Sequence, residues 1–465
     1  MLRCVLLSVL LFIIQPLNPK TFPQETPNDK SDAAVVRTAL PSGLRLIVAE
    51  RAKESLATIL LRVRVGSGSE SPTENGLSHF IEHMVFKGGG ETRPGDIDAA
   101  IEALGGEIAA RTTRDFTEYA ITLPKENLLS ALRLIAELVQ SPEFREADME
   151  LERRVILSEM KAAAGEPAKL GFRQIHYALC NEFEPYYQPL MGTEENVRSF
   201  TPADLQRFWQ RWYRPENMTL IIVGEVKTPD IKAVVAPLFP PATTELSGKP
   251  IVTAFTLKEG VSRAPELEKE AQATRELVTL LVAFRTPPAD DGASLPGMEA
   301  LIPLLAYGKQ GHLYERLVEK DRLAFSVAAE YLPGQQSGMV LLTLITTPTM
   351  VARLEQAVEE EIRRMREDSL TPSEIEGSKA VLLNRVRYES ETVEGQARHL
   401  AYLDTYAPLM DEKLFQERVE AVSVEMVRQN LLRYLTPLNY AVAVVGPPAP
   451  PPTPTTAEKT GGYLR

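Results

Sequence analysis

Of the five histidines in the chain, two stand with a glutamate in the run Gly76-Leu77-Ser78-His79-Phe80-Ile81-Glu82-His83-Met84. On a helix advancing about 100° per residue, His79, Glu82 and His83 fall within a sector of about 100°, while Phe80 and Met84 turn elsewhere. Two histidines at i and i+4 can ligate one Zn2+, and a carboxylate one turn from the first can reach a water on that ion. The order H-x-x-E-H inverts the commoner H-E-x-x-H zinc signature. Two imidazoles do not complete such a site, so a third ligand has to come from elsewhere in the chain.

A second helix is expected around Glu150-Leu151-Glu152-Arg153-Arg154-Val155-Ile156-Leu157-Ser158-Glu159. Glu152 and Glu159, seven residues apart, share one of its faces, with Val155, Ile156 and Leu157 packing inward beside them. Helices with Glu and Arg every few residues are ordinarily solvated, so these two glutamates are candidates only through their position relative to His83.

The elements that must position these groups occur in two copies. Thr201 opens a helix carrying Trp209, Trp212 and Tyr213, followed by Pro215-Glu216-Asn217 and the apolar run Met218 to Gly224. Ser423 opens a similar helix with Leu431, Leu432 and Tyr434, followed by Pro437-Leu438-Asn439 and a run ending at Gly446. Each reads as an N-cap, a helix, a Pro-x-Asn turn and a buried strand. Earlier strand-like runs, Leu56 to Val65 and Glu276 to Phe284, each precede a helix ending in glycine, at Gly88 and Gly308. The expected fold is α+β: two homologous α+β domains with antiparallel or mixed sheets and packed helices, spanning 35–245 and 275–447 and joined by a linker over 246–274. The segment 448–465 reads as a Pro-rich tail.

The flanks and composition bound what such a chain does. Met1-Leu2-Arg3 and the apolar run Cys4 to Ile14 read as a signal peptide over 1–17, with a flexible leader over 18–34. That run falls short of the roughly 20 apolar residues that span a bilayer, so export to the periplasm or medium is expected, an N-terminal anchor being the alternative, and no stable membrane span. Removing the leader leaves Cys180 alone, so no intrachain disulfide forms. The 63 acidic against 51 basic residues give a net charge of −12, which repels phosphate backbones and excludes nucleic acid as a general partner.

His79-x-x-Glu82-His83 followed by Glu159, with Glu152 one heptad earlier, resembles the M16, or pitrilysin, family of inverted-motif zinc peptidases. Gly105-Gly106-Glu107-Ile108, Thr112-Thr113-Arg114-Asp115 with Tyr119, Tyr187 to Gly192 and Asn217 to Gly224 carry the same similarity. The length and the repeat are similar to the shorter members, in which two such chains form a clamshell around an unfolded peptide. The resemblance implies His79, His83 and Glu159 as ligands of one zinc per chain, Glu82 as general base and Glu152 as an outer carboxylate orienting a ligand histidine. It also implies that the strand through Ala109, Ala110 and Arg111 pairs with the substrate backbone.

Two departures from the family pattern stand out. The family commonly has Asn-Ala where this chain has Ala109-Ala110, which removes a side-chain donor and keeps the backbone. Val318 and Phe325 stand where active members carry an Arg and a Tyr that touch the substrate near the zinc, with Arg316 or Arg322 as stand-ins for the Arg alone. The expected partner is therefore a homologous chain lacking H-x-x-E-H that supplies the Arg and Tyr in a hetero-oligomer. Besides a zinc endopeptidase, two readings stay open: a non-catalytic structural subunit, and a peptide-holding subunit that turns over slowly.

Overall fold

The computed structural model of the chain describes residues 34–89, 92–182, 184–241, 260–264, 277–289, 294–368, 370–437 and 439–446. The expected signal peptide, leader and Pro-rich tail lie outside the described residues, apart from Ala34.

Among the described residues the chain is a mixed α+β protein built on two sheets. Strands β1 (Ala34–Ala39), β2 (Arg45–Glu50), β3 (Leu56–Val63), β4 (Glu107–Thr112), β5 (Thr117–Pro124) and β6 (Met218–Gly224) form the first, in the order β1-β2-β6-β3-β5-β4. Its helices are α1 (Leu77–Met84), α2 (Asp96–Ala103), α3 (Leu128–Gln140), α4 (Glu146–Ala164), α5 (Pro167–Leu179), α6 (Glu194–Ser199), α7 (Pro202–Trp212) and α8 (Thr228–Leu238). The second sheet has β7 (Gly260–Arg263), β8 (Val278–Thr286), β9 (Ser326–Leu332), β10 (Gly338–Thr346) and β11 (Asn439–Val445), in the order β7-β11-β8-β10-β9. With it go α9 (Leu295–Ala306), α10 (His312–Tyr314) running into a π-helix over Glu315–Lys320, α11 (Val351–Glu367), α12 (Pro372–Glu389), α13 (Val393–Tyr406), α14 (Glu412–Glu420) and α15 (Val424–Tyr434).

Five strands of each sheet repeat in one order, β2-β6-β3-β5-β4 against β7-β11-β8-β10-β9, and β1 has no counterpart among the described residues. β2 runs parallel to β6 and β7 parallel to β11, and every other pair in the shared order is antiparallel. The recurring asparagine has a structural cause. Asn217 Nδ2 donates to the carbonyls of Trp212 and Arg64 at 3.0 and 3.3 Å, and Asn439 Nδ2 donates to those of Tyr434 and Arg285 at 3.0 and 3.1 Å. Each amide staples a helix C-terminus to the strand beside the next one, satisfying carbonyls left open there. β7 corrects one expectation, since it lies inside the stretch read as linker. It is four residues long and exists by laddering onto the outer edge of β11, so nothing local in its sequence announces it.

Both faces of the central strands β3, β6, β8 and β11 are buried, which is why these strands read as nearly continuous apolar runs. In the first, Leu46, Val48, Ile59, Leu61, Leu220 and Ile222 face a core shared with α1, α3 and α7. The alternate residues Ile47, Ala49, Leu60, Ile221 and Val223 pack on Val393, Ala397, Leu400 and Ala401 of α13, a helix from the second half. The exchange is reciprocal: Leu170, Ile175, Ala178 and Leu179 of α5 pack on Leu281, Ala283, Leu341, Ala441 and Ala443 of the second sheet.

Buried charge pins α13 in place. Glu118, 1% exposed, is bonded by Arg62, by Arg111 at 3.1 Å and by Arg398 at 2.8 Å, and Arg62 also donates to the Ala401 carbonyl at 2.6 Å. Burial alone would raise the Glu118 pKa, but the guanidiniums outweigh it and hold it down at about 2. An unfolded glutamate titrates near ~4.3, so this stabilisation is complete above that pH and is lost as the pH falls toward about 2. Glu118→Gln should therefore lower unfolding stability by about 3 kcal/mol at pH 7, with the deficit shrinking between pH 5 and 3. Urea unfolding across that range checks it, and a deficit independent of pH would contradict it.

Candidate metal centre

Helix α1 is positioned from its N-terminus. Glu70 Oε2 accepts from the Gly76 amide at 2.8 Å and from Asn75 Nδ2 at 3.0 Å, while its Oε1 accepts from the Ser78 amide at 2.7 Å. A buried carboxylate thus satisfies amides that a helix start leaves open and sits at the positive end of the helix dipole. Gly76, at φ +110°, has no room for a side chain: a Cβ would lie 3.0 Å from Gly192 Cα and the Met191 carbonyl. The Tyr187 to Gly192 loop therefore backs the helix start directly.

Phe80, Ile81 and Met84 turn into the first core, and His79, Glu82 and His83 turn away from it toward α4 and β4. Glu159 Oε2 lies 3.4 Å from His83 Nε2 and 3.8 Å from His79 Nε2. Ligand atoms of His79, His83 and Glu159 all fall within 4.8 Å of one another, the one place among the described residues where three such donors converge. Glu152, one heptad before Glu159 on α4, accepts from His83 Nδ1 at 3.0 Å and from Lys87 Nζ at 2.6 Å. With Nδ1 donating to Glu152, Nε2 is the ring nitrogen turned to Glu159, and it offers its lone pair to a metal once its proton has left.

The electrostatics call for a cation. Burial works against an ionised Glu152, but the bonds from His83 and Lys87 outweigh it and hold its carboxyl below the usual range. Burial likewise works against a charged His83, yet Glu152, Glu159 and Glu82 push its pKa up to about 10 in the ion-free chain. His79, buried and beside His83, moves the other way, well below the usual imidazole value. Its Nδ1 is buried without a hydrogen-bond partner among the described residues. Two imidazole nitrogens and one carboxylate oxygen, with negative charge behind them, match the nitrogen and oxygen donor set of a zinc centre that keeps a position open.

Glu82 occupies the same face, and burial raises its pKa, against the pull of His83 and a hydrogen bond from the Thr112 hydroxyl. Thr112 ends β4, which closes the sheet and pairs only with β5, leaving its outer edge free among the described residues. Ala109 and Ala110 lie on that edge strand. Arg111 lies there too, but its guanidinium is engaged with Glu118 and lies over Phe116. Glu70 and Lys87 escaped the sequence reading, and Thr112 entered it only within a stretch of family similarity, with no role given to it. Asking which acceptor serves the first amides of α1 points toward Glu70, whereas Lys87 and Thr112 meet their partners only through tertiary packing.

Among the described residues the second repeat has no such centre. Glu299, at the place of His79, is 6% exposed and bonds Arg385 of α12 at 2.7 Å and the Tyr402 hydroxyl at 2.5 Å. An ion pair between α9 and α12 stands where α1 and α4 bring histidines and glutamates together.

Fold and donor set thus define a two-domain α+β protein with a candidate metal centre in its first repeat. Residues 45–194 match the family model for insulinase, peptidase family M16, and residues 199–382 match that for the M16 inactive domain, so the chain belongs to the M16 peptidase family. An uncharacterized zinc protease of Mycobacterium leprae is 28% identical over 422 residues, covering 89% of this chain and 92% of the relative. A probable mitochondrial-processing peptidase subunit beta of Arabidopsis thaliana is 26% identical over 421 residues, covering 88% and 78%. The crystal structure of a protease from Helicobacter pylori superposes with a TM-score of 0.81 at 20% identity, covering 89% of this chain and 100% of that one. A putative M16-like peptidase from Alicyclobacillus acidocaldarius does so at 0.76 and 20%, covering 90% and 99%. At these identities the two solved structures speak for the fold.

Proposed function

We propose that the chain is a zinc-dependent endopeptidase subunit that cleaves peptides or unfolded polypeptide segments. The observation that carries this is the convergence of His79, His83 and Glu159 beside Glu82 and the free edge of β4. Relatives described as zinc proteases support the same reading.

His79, His83 and Glu159 would hold one zinc, which when bound supplies Lewis-acid activation of water and of the scissile carbonyl. An extended peptide laid along β4 would take its main-chain hydrogen bonds from the strand edge at Ala109 and Ala110, an arrangement that reads backbone more than side chains. Glu82 then accepts a proton from the water as its oxygen adds to the carbonyl carbon. As the C–N bond breaks, Glu82 returns that proton to the departing amine nitrogen. Raising the Glu82 pKa by burial brings it closer to the range in which one carboxyl can both take and give a proton near neutral pH. Glu152 and Lys87 keep the His83 ring turned to its task.

The test is cleavage of an unfolded peptide that stops on chelation and returns with zinc. Chain that binds zinc and never cleaves, with or without a partner, would leave a peptide-holding role instead. Alanine at His79, His83 or Glu159 should each empty the site, and Glu152→Gln should weaken zinc by about 10 to 100-fold, both read by competition with a chromogenic chelator. Unchanged affinity in Glu159→Ala would move the third ligand elsewhere. The same proposal includes export with removal of the leader, motivated by Met1 to Ile14. Mass spectrometry that finds an intact Met1 on cytoplasmic protein contradicts it.

A further inference from the structure

We propose that Thr112 is a positioning residue for Glu82, fixing the carboxylate from the same strand that would receive the peptide. Its consequence for turnover rests on the peptidase reading above. The Thr112 hydroxyl donates to Glu82 Oε2, and it is the side-chain donor that this carboxylate has among the described residues. Thr112 is the last residue of β4, 8% exposed, and is paired in register with Thr117 of β5.

The surroundings leave the Thr112 proton for Glu82. Thr117 lies next to it, hydroxyl to hydroxyl at 3.5 Å, but Thr117 donates to the Val65 carbonyl at 2.9 Å. β-branching restricts the Thr112 side chain to few rotamers, so the strand aims the donor and does not merely tolerate it. Glutamate, by contrast, has three rotatable side-chain bonds, so its own geometry does not hold the carboxylate at that place. Deleting the donor therefore releases the carboxylate without touching a residue that binds metal. Because β4 carries both the donor and the free edge, one element sets the peptide backbone and the proton acceptor relative to each other. Displacements of about 1 Å in such an arrangement cost on the order of 100-fold in rate.

Thr112→Val keeps the shape and loses the donor, and Thr112→Ser keeps the donor. In whichever assembly cleaves, the valine variant should lose about 10 to 100-fold in kcat, with KM within about 2-fold and zinc content unchanged. The serine variant should stay within about 3-fold of the parent. In crystals of the metal-free protein, the Glu82 carboxylate should leave the Thr112 side in the valine variant and hold its place in the serine variant. Thr112→Ala replaces the valine variant where that one does not fold. Parental kcat in the donor-less variant, or a carboxylate that stays in place without the donor, overturns the proposal. If no assembly shows chelator-sensitive cleavage, the peptidase reading fails, while the crystallographic comparison still decides the role of Thr112.

Discussion

Glu82→Gln is expected to keep near-stoichiometric zinc and to lose at least about 100-fold in turnover, the low end for removing a general base. The amide has nearly the shape of the carboxylate and still accepts from Thr112, so packing around α1 should be unchanged. It has no basic oxygen that can take the proton of the attacking water, and nothing replaces it on that face. His79 and His83 are pointed at Glu159, and Glu152 is occupied by His83 and Lys87. Metal content by mass spectrometry and single-turnover cleavage separate the two effects. Loss of zinc would make Glu82 a ligand, and turnover within a few-fold of the parent would place the proton acceptor elsewhere.

The chain alone is expected to be a poor peptidase, with kcat/KM rising at least about 100-fold when a partner of the same two-domain plan is added. Val318 sits in the π-helix after α10, half-buried against the second core, and Phe325 stands 63% exposed just before β9. Neither offers a hydrogen-bond donor where the family resemblance leads one to expect an Arg and a Tyr. Arg316 cannot stand in freely, because its guanidinium is shared among Asp321, Glu360 and Glu361. Arg322 occupies a left-handed backbone position at φ +52°, fixed by the turn into β9. Each preorganised donor near a developing oxyanion typically contributes about 3 to 4 kcal/mol, and two acting together contribute less than their sum. A partner that presents both across a closed chamber would restore them where water is excluded. Full activity of the isolated chain as a monomer or homodimer would sink this idea. So would a partner whose own Arg and Tyr prove dispensable.

What could be read in the sequence divides along physical lines. His79, Glu82 and His83 were legible because helical geometry alone fixes their common face. The two-fold repeat was legible at Asn217 and Asn439 because each side chain does the same local work, closing a helix onto a strand. Glu159 needed a family resemblance, since nothing in its own helix distinguishes it from Glu150 or Glu146. Thr112 and Lys87 act through contacts that the tertiary fold creates, whereas Glu70 caps a helix start a few residues on, and the strand Gly260–Arg263 owes its existence to a partner almost 180 positions later. The crossing of α5 and α13 was invisible for a different reason: an amphipathic helix records that it covers an apolar face and not whose face it is.

That crossing has a consequence for how the protein is made. The first sheet is fully synthesised once Gly224 has emerged, but the helix that covers its outer face begins at Val393, 169 residues later. At about 5 to 20 residues per second, the interval is on the order of 10 to 30 seconds. Through it, Ile47, Leu60, Ile221 and Val223 have no lasting cover, and α5 waits with its own apolar side unmatched until β11 arrives. The nascent chain should therefore be a client of chaperones that hold apolar segments until the last fifty residues of the second half are out. Ribosomes arrested before Val393 should leave chains that aggregate or are degraded, however complete their metal-binding half.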